Sequence, residues 1–309
     1  MAKSTTAKAL ANEAIWLRSF WQVGTVEQGT RAMDAAKHKP DSICLDFEDT
    51  VAPKDKDKAR KGFPALAKEL HGRGIKVFVR VNPAPATLEE DLDAAVSPEL
   101  HCLFFPKSQG PQDIYQLAAA LSKAEKRKGL PDGYTLVRPI VETAQGVKFA
   151  YEIAKASPRI AYMGGVAGPR NGDLGSSFRF IPTVTGVEHF HIRARVLGDV
   201  RAAGVPYPIS GGYTTDRSAA GIRAGAIETR AMGYQGSHVW GGAEALGIVH
   251  EVFTPSKEEV KRWVKAIPAM EEAQRAGVVM LEVDGQMEDT ASLVWMKEGV
   301  ALAKRLGMA

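Results

Sequence analysis

Several things are scarce in this sequence, and each scarcity removes a class of protein. There are only two cysteines, Cys44 and Cys102, in 309 residues. Each sits in a short apolar run, SICLDF and HCLFF. A disulfide framework or a cysteine-based zinc cluster is therefore excluded, and buried strand thiols are expected. No stretch approaches the roughly 18 uninterrupted apolar residues of a membrane span. The first residues, MAKSTTAKALANEAIW, contain no apolar core of a secretory signal. A cytoplasmic location is expected by elimination. Excess charge is also small: 40 Lys+Arg against 36 Asp+Glu leave +4. That balance is too slight and too evenly spread to argue for nucleic acid, although it weakly favours a small anionic substrate. Neither G-x-G-x-x-G nor a Walker A sequence occurs, so the nucleotide signatures of doubly wound sheets are missing. Low-complexity tracts and repeats of fixed period are absent as well.

What is present describes an ordinary globular chain, with 45% hydrophobic and 25% charged residues. That is enough apolar surface to build a core. The length allows two average domains, or one (β/α)8 barrel with an extension. Short apolar, β-branched runs alternate with longer amphipathic stretches rich in Ala, Lys and Glu. The short runs cover 17–23, 42–46, 76–81, 101–105, 135–141, 159–163, 205–209 and 236–240. Helical patterns cover 55–70, 111–128, 146–155, 189–203 and 218–232. Pro111 suits a first helical turn and Gly204 a helix stop. Alternating strands and helices predict a parallel sheet, and eight units predict a closed α/β TIM barrel. Two further helices are predicted over 254–276 and 289–307. Pro255 and Ser256 open the first, with Glu258 and Glu259 in its first turn. We therefore expect a barrel over 1–252 and a C-terminal helical extension over 253–309, packing on the barrel or on a neighbouring subunit.

A parallel barrel carries its active site at the strand C-termini. Polar residues recur there: Asp46, Glu48 and Asp49 after the second run, Arg80 and Asn82 at the third, Lys107 after the fourth and Glu142 after the fifth. The glycine-rich GGVAGPRNGDLGSS follows the sixth, carrying Arg170, Asn171 and Asp173. Arg18 stands at the start of the first run. Glu142 and Asp173 form the sharpest pair, because two carboxylates on adjacent strands can share one hard cation. Mg2+ fits, with Mn2+ as the alternative ion. Such an ion polarises carbonyls and stabilises enolates. Arg80 can neutralise charge on a carbonyl oxygen. Glycines of the sixth loop, Gly172 among them, permit either tight turns or close approach of backbone to an anionic group. The pair His189 and His191 matches no zinc spacing.

These motifs, in this order, resemble the citrate lyase β-subunit-like proteins and malyl-CoA lyases of the aldolase/citrate lyase superfamily. CLDFEDTVAPKDKDKAR is similar to their LDLEDAV-x-P-x-x-K-x-x-AR signature. VRVN, FPKS, VRPIVETAQGV, GYQG, FTPSKEEV and DGQMEDT each resemble a family block, spanning about residues 17–306. The resemblance implies a TIM barrel, assembled as a homotrimer or homohexamer, with no nucleic-acid or membrane partner. It implies a Mg2+-dependent carbon–carbon lyase acting on a β-hydroxyacyl compound, a CoA thioester of citryl, malyl or citramalyl type, and releasing an oxo acid. CoA enters as part of the substrate rather than as a bound cofactor. Glu142 matches a magnesium ligand, and Asp173 the second, when NGDLG is aligned with the family's G-x-E-D-L. Arg80 matches the arginine that meets the substrate carbonyl or carboxylate. Glu48 and Asp49 match acidic residues around the metal, with Glu48 a candidate catalytic residue, and Lys107 matches a lysine of the same polar network and is a candidate substrate contact. Arg18-Ser19 fits an N-terminal Arg-Ser, which makes Arg18 a candidate substrate contact. Asp289 matches a catalytic acid/base that family members insert into a neighbouring subunit's site. Three stretches depart from the pattern. GYQGSHVWGG replaces G-F-x-G-K-x-x-I-H-P, QVGTV replaces the block containing V-P-G, and the sixth loop is longer. All three lie at the barrel mouth and leave open a thioester hydrolase, a CoA-independent oxo-acid aldolase and a non-catalytic binding subunit.

Overall fold

The computed structural model describes residues 12–24, 28–165, 172–211, 215–239 and 241–309. Seven parallel strands form one sheet: β1 (Ser19–Gln22), β2 (Ser42–Asp46), β3 (Lys76–Arg80), β4 (Leu100–Phe105), β5 (Leu136–Pro139), β6 (Ile209–Ser210) and β7 (Gly236–His238). Their order is β5-β4-β3-β2-β1-β7-β6. Helices connect them, among them Lys56–Gly72, Pro85–Ala95, Pro111–Arg127, Val187–Ala202 and Ala219–Ala231. The result is a curled α/β sheet of the TIM-barrel kind, and no described helix is long and apolar enough to cross a membrane.

Strand alternation sorts side chains onto two faces. Ile43, Leu45, Val77, Val79, Leu103 and Val137 pack outward with Phe63, Leu70, Leu92, Leu117 and Leu121 of the helices. Their neighbours Cys44, Phe78, Cys102, Phe104, Leu136 and Ile140 turn inward and join Phe20, Tyr162 and Ile209 in a separate inner cluster. Both cysteines are free and buried, as expected from their runs. With the side-chain period of two, residues Asp46, Arg80, Arg138 and Glu142 share the inward parity.

The sixth predicted run is not one of these strands. Residues 159–165 instead make single bridges, Val137 with Ile160 and Val141 with Gly165. On their other side, the amides of Tyr207, Ile209 and Gly211 donate to the carbonyls of Ala161, Met163 and Gly165 at 3.3, 3.3 and 2.9 Å. The segment thus lies between β5 and β6, as the barrel reading requires, without forming a ladder. The seventh run shrinks to the two residues of β6 for a related reason. Pro206 and Pro208 carry no N–H to donate towards β7. Gly164 is needed where the segments touch, since a Cβ there would lie 2.2 Å from the Ile209 carbonyl oxygen.

Residues 251–309 form a second compact unit. It contains a helix at Lys257–Arg275, an antiparallel hairpin of β8 (Met280–Val283) and β9 (Gln286–Asp289), and a helix at Leu293–Arg305. Ser256 and Glu259 cap the first helix reciprocally. The Ser256 hydroxyl accepts from the Glu259 amide at 3.0 Å, and the Glu259 carboxylate accepts from the Ser256 amide at 2.7 Å. Val260, Trp263, Met270, Val283, Leu293, Met296 and Val300 form the unit's own core. The hairpin departs from the sequence expectation, which has helices alone in this region. Its physical basis is the pair Asp284 and Gly285, which turn the chain with φ of 51° and 79°. Asp-Gly is a favoured pair for a two-residue hairpin turn that needs positive φ at both positions.

Candidate active site

The end of β2 folds back on itself around Asp46. Its carboxylate accepts from the Glu48 amide at 2.9 Å and from the Thr50 hydroxyl at 2.5 Å. This closes the turn that carries Glu48 and Asp49. Asp46 is fully buried and lies directly opposite Arg80 in the sheet register. Arg80 grips it twice, Nε to Oδ1 at 2.9 Å and Nη2 to Oδ2 at 2.5 Å. Its Nη1 lies 3.0 Å from Glu48 Oε2. The other oxygen of Glu48 accepts from Lys107 Nζ at 2.7 Å, and Asp49 accepts from the same ammonium at 3.0 Å.

Lys107 ties the next strand in. It adopts a left-handed backbone with φ of 55°, and its amide donates to Glu142 Oε1 at 2.8 Å. Thr143 then caps a short helix by accepting from the Gly146 amide at 3.0 Å. Glycine is required at 146 because a Cβ there would lie 2.4 Å from the Ser108 carbonyl oxygen. The helix Asp173–Phe178 is pinned beside this turn, where the Ala144 amide donates to Ser177 Oγ at 2.8 Å. Gly172 caps that helix with φ of −80°, an ordinary conformation, and Asp173 begins it.

Charge follows this geometry. Burial, reinforced by the negative charges of Asp173 and Glu48, pushes the Glu142 carboxyl up to about 7, against the Lys107 amide and Arg80. Burial also raises Glu48, despite Arg80 and Lys107. Desolvation opposes the charge on Lys107, yet Glu48 and Asp49 drive its pKa upward. Burial works against ionised Asp49 too, but Lys107 holds its pKa low. The cluster is therefore a set of positioned cations beside a carboxyl pair whose charges oppose each other. Carboxylate oxygens are the donor type that hard divalent cations prefer. Among the described residues no group of three or more His, Cys, Asp or Glu side chains is poised for a metal.

The structure thus brings together Arg80, Glu48, Lys107, Glu142, Asp173 and Gly172. Arg18 does not join them. It precedes β1 and pairs with Asp41, just before β2, at 2.6 Å. Both residues lie at the strand N-termini, the opposite end of the sheet, so Arg18 is corrected from a substrate contact to a structural ion pair. Asp289 belongs to the second unit, where its carboxylate accepts from the Ala291 amide at 2.8 Å. Arg170 and Asn171 lie outside the described residues. Sequence reasoning missed Arg138, which is 2% exposed on the inner face of β5. Its signal was an arginine inside an otherwise apolar run.

A curled parallel sheet with ionic side chains gathered at its strand C-termini defines an enzyme of the TIM-barrel class. The chain belongs to the HpcH/HpaI aldolase/citrate lyase family, whose model matches residues 25–241. It is 28% identical over 253 residues to the citrate lyase subunit beta of Haemophilus influenzae, covering 82% of this chain and 85% of that one. To the L-malyl-CoA/beta-methylmalyl-CoA lyase of Rhodobacter capsulatus it is 27% identical over 278 residues, covering 84% and 86%. To the (3S)-malyl-CoA thioesterase of Cereibacter sphaeroides it is 29% identical over 281 residues, covering 89% and 91%. Among solved structures, a citrate lyase from Burkholderia xenovorans superposes with a TM-score of 0.72 at 19% identity, over 94% of this chain and 93% of that one. The protein CitE of Mycobacterium tuberculosis, in complex with magnesium, acetoacetate and coenzyme A, gives 0.61 at 20% identity, over 95% and 99%.

Proposed function

We propose that this enzyme is a Mg2+-dependent carbon–carbon lyase that cleaves or forms a β-hydroxyacyl-CoA of the citryl, malyl or citramalyl type, with an oxo acid as the second product. The observation that carries this reading is the carboxyl pair Glu142 and Asp173 set beside Arg80 and Lys107. The lyase names of the relatives support it. Glu142 and Asp173 would hold Mg2+, or Mn2+ in its place. When bound, the ion supplies a Lewis acid for the oxo acid's carbonyl oxygen.

The remaining work falls to the chain's own groups. In cleavage a general base takes the β-hydroxyl proton, the C–C bond breaks, its electron pair passes into the thioester as an enolate, and a proton is then delivered to the enolate carbon. Arg80 spends three N–H groups on Asp46 and Glu48, and the Gln22 side-chain oxygen lies within reach of its Nη2 and Nε, which leaves one Nη1 N–H of its five donors for substrate oxygen. Because Asp46 and Glu48 fix its plane beforehand, little reorganisation is needed when charge develops. Glu48 orients both cations rather than acting as a free base. Asp289 of a neighbouring copy is assigned proton transfer at the enolate carbon. It lies on a hairpin edged by exposed Val279, Met280, Met287 and Trp295, an apolar surface suited to another subunit in a trimer or hexamer.

The test is a panel of citryl-, malyl- and citramalyl-CoA beside the free acids, each with Mg2+ and with EDTA, scored for oxo acid and for free thiol. A lyase releases oxo acid and leaves the thioester intact in the other fragment. Glu142→Ala abolishes the metal-dependent turnover; activity that survives both this change and EDTA rejects the assignment. A second reading, thioester hydrolysis, is favoured by the thioesterase relative and yields thiol without oxo acid. Turnover of free hydroxy acids instead identifies a CoA-independent aldolase, consistent with Ser237, Gly241 and Gly242 standing where the family pattern has Lys, His and Pro.

A further inference from the structure

The described residues include several buried arginines, and their partners differ in kind. Arg18 pairs with Asp41, Arg60 with Asp91, Arg159 with Glu125 and Arg193 with Glu228. Arg138 alone among them meets no carboxylate. Its Cζ stands 4.0 Å from the ring centre of Phe20 and 4.7 Å from that of Phe104. Its Nη2 donates to His238 Nε2 at 2.7 Å, and its Nη1 has no partner. The sheet register runs Asp46, Arg80, Phe104, Arg138 across four strands. Arg138 therefore stands level with Arg80, one residue from the end of β5, on the face that lines the barrel interior.

A buried guanidinium without a counter-charge is costly, and aromatic faces and a neutral imidazole offset only part of that cost. Burial lowers the Arg138 pKa to about 10. Burial and the charges of Arg138 and Arg80 hold His238 neutral, so it accepts the hydrogen bond. Arg80 is already neutralised by Asp46 and Glu48, which leaves the positive charge of Arg138 uncompensated beneath the proposed metal pair.

We infer that Arg138 is a specificity-determining residue whose free Nη1 receives a substrate carboxylate entering from the strand C-terminal end, with His238 positioning the guanidinium. This deepens the proposed lyase reading, on which it rests for the identity of the substrate. It implies a preference for substrates that carry one carboxylate beyond the oxo-acid head group.

Two oxo acids that differ by that carboxylate, oxaloacetate and pyruvate, test the inference by calorimetric titration in Mg2+ of the full chain, with each acid freshly dissolved. The parent protein should prefer oxaloacetate by roughly 10- to 100-fold, the range of one hydrogen bond to a charged group. Arg138→Met should remove that preference and leave pyruvate affinity unchanged, while Arg138→Lys should retain part of it. If Arg138→Met does not fold, Arg138→Gln serves for the same comparison. A parent without preference, or a neutral variant that keeps it, overturns the inference. Equal weakening of both acids in the neutral variants marks a merely structural arginine and also overturns it. Glu142→Ala separates the two readings: binding indifferent to Mg2+ and to Glu142 rejects the metal site, yet the oxaloacetate preference of Arg138 still stands or falls by its own variants.

Discussion

Asp46 offers the most direct test of how the site is built. Replacing it with alanine removes a fully buried carboxylate that Arg80 holds through two contacts of 2.9 and 2.5 Å. The arginine side chain is 12% exposed, so it cannot simply turn into water. Breaking one partner out of a buried pair costs about 3–5 kcal/mol. The lost acceptors for the Glu48 amide and Thr50 hydroxyl add little, since Thr50 is exposed and water can replace part of what is lost. For a unit of this size the melting midpoint should fall by roughly 6–20 °C, at about 2–4 °C per kcal/mol. Differential scanning calorimetry of Asp46→Ala, Arg80→Met and the double variant measures both the cost and the coupling. The double variant should be more stable than additivity predicts, by about 1 kcal/mol or more. A midpoint for Asp46→Ala within about 2 °C of the parent, or strictly additive effects, would refute the idea that this pair organises the strand ends.

Other outcomes follow from the same contacts. Gly146→Ala drives a methyl against the Ser108 carbonyl oxygen and should displace the Lys107–Glu142 contact. A stability loss of about 1–3 kcal/mol should accompany a larger drop in turnover, and a variant with parent kinetics counts against the proposed placement. His250 is held at about 4 by burial and by Arg18, against Asp41. It stays neutral in the fold and charges more readily when unfolded, so its contribution is complete above the ordinary value near 6.5 and is lost as pH falls towards 4. Urea midpoints across that window should fall less steeply for His250→Gln than for the parent; parallel curves would exclude the effect. In the second unit, a Cβ at Gly299 would lie 2.4 Å from the Trp263 ring. Gly299→Ala should therefore change tryptophan fluorescence and lower stability by about 1–3 kcal/mol, and an unperturbed spectrum would count against that packing.

Much of the site was legible in the sequence because a parallel barrel places strand C-termini at one end. The acids after SICL, the arginine of FVRVN, the lysine of FFPKS and the glutamate of RPIVE all followed from that rule. Arg18 failed it because it stands before its strand, at the other end, where Asp41 waits in the same position before β2. The seventh run misled through its prolines, which restrict β6 to two residues.

Order along the chain thus determined the alternation of strands and helices and the sequence in which polar groups reach the strand ends. Which face each strand residue occupies was decided only in three dimensions. In a parallel sheet covered by helices both faces are apolar, so the usual polar–apolar alternation that distinguishes inside from outside is missing. Cys44 and Leu45 read alike in the sequence, yet one lies in the inner cluster and the other beneath the helices. For the same reason Arg138 could be seen as an oddity in its run but not as an unpaired charge inside the barrel. Curling the sheet gave the two faces different neighbours, and with them different chemistry.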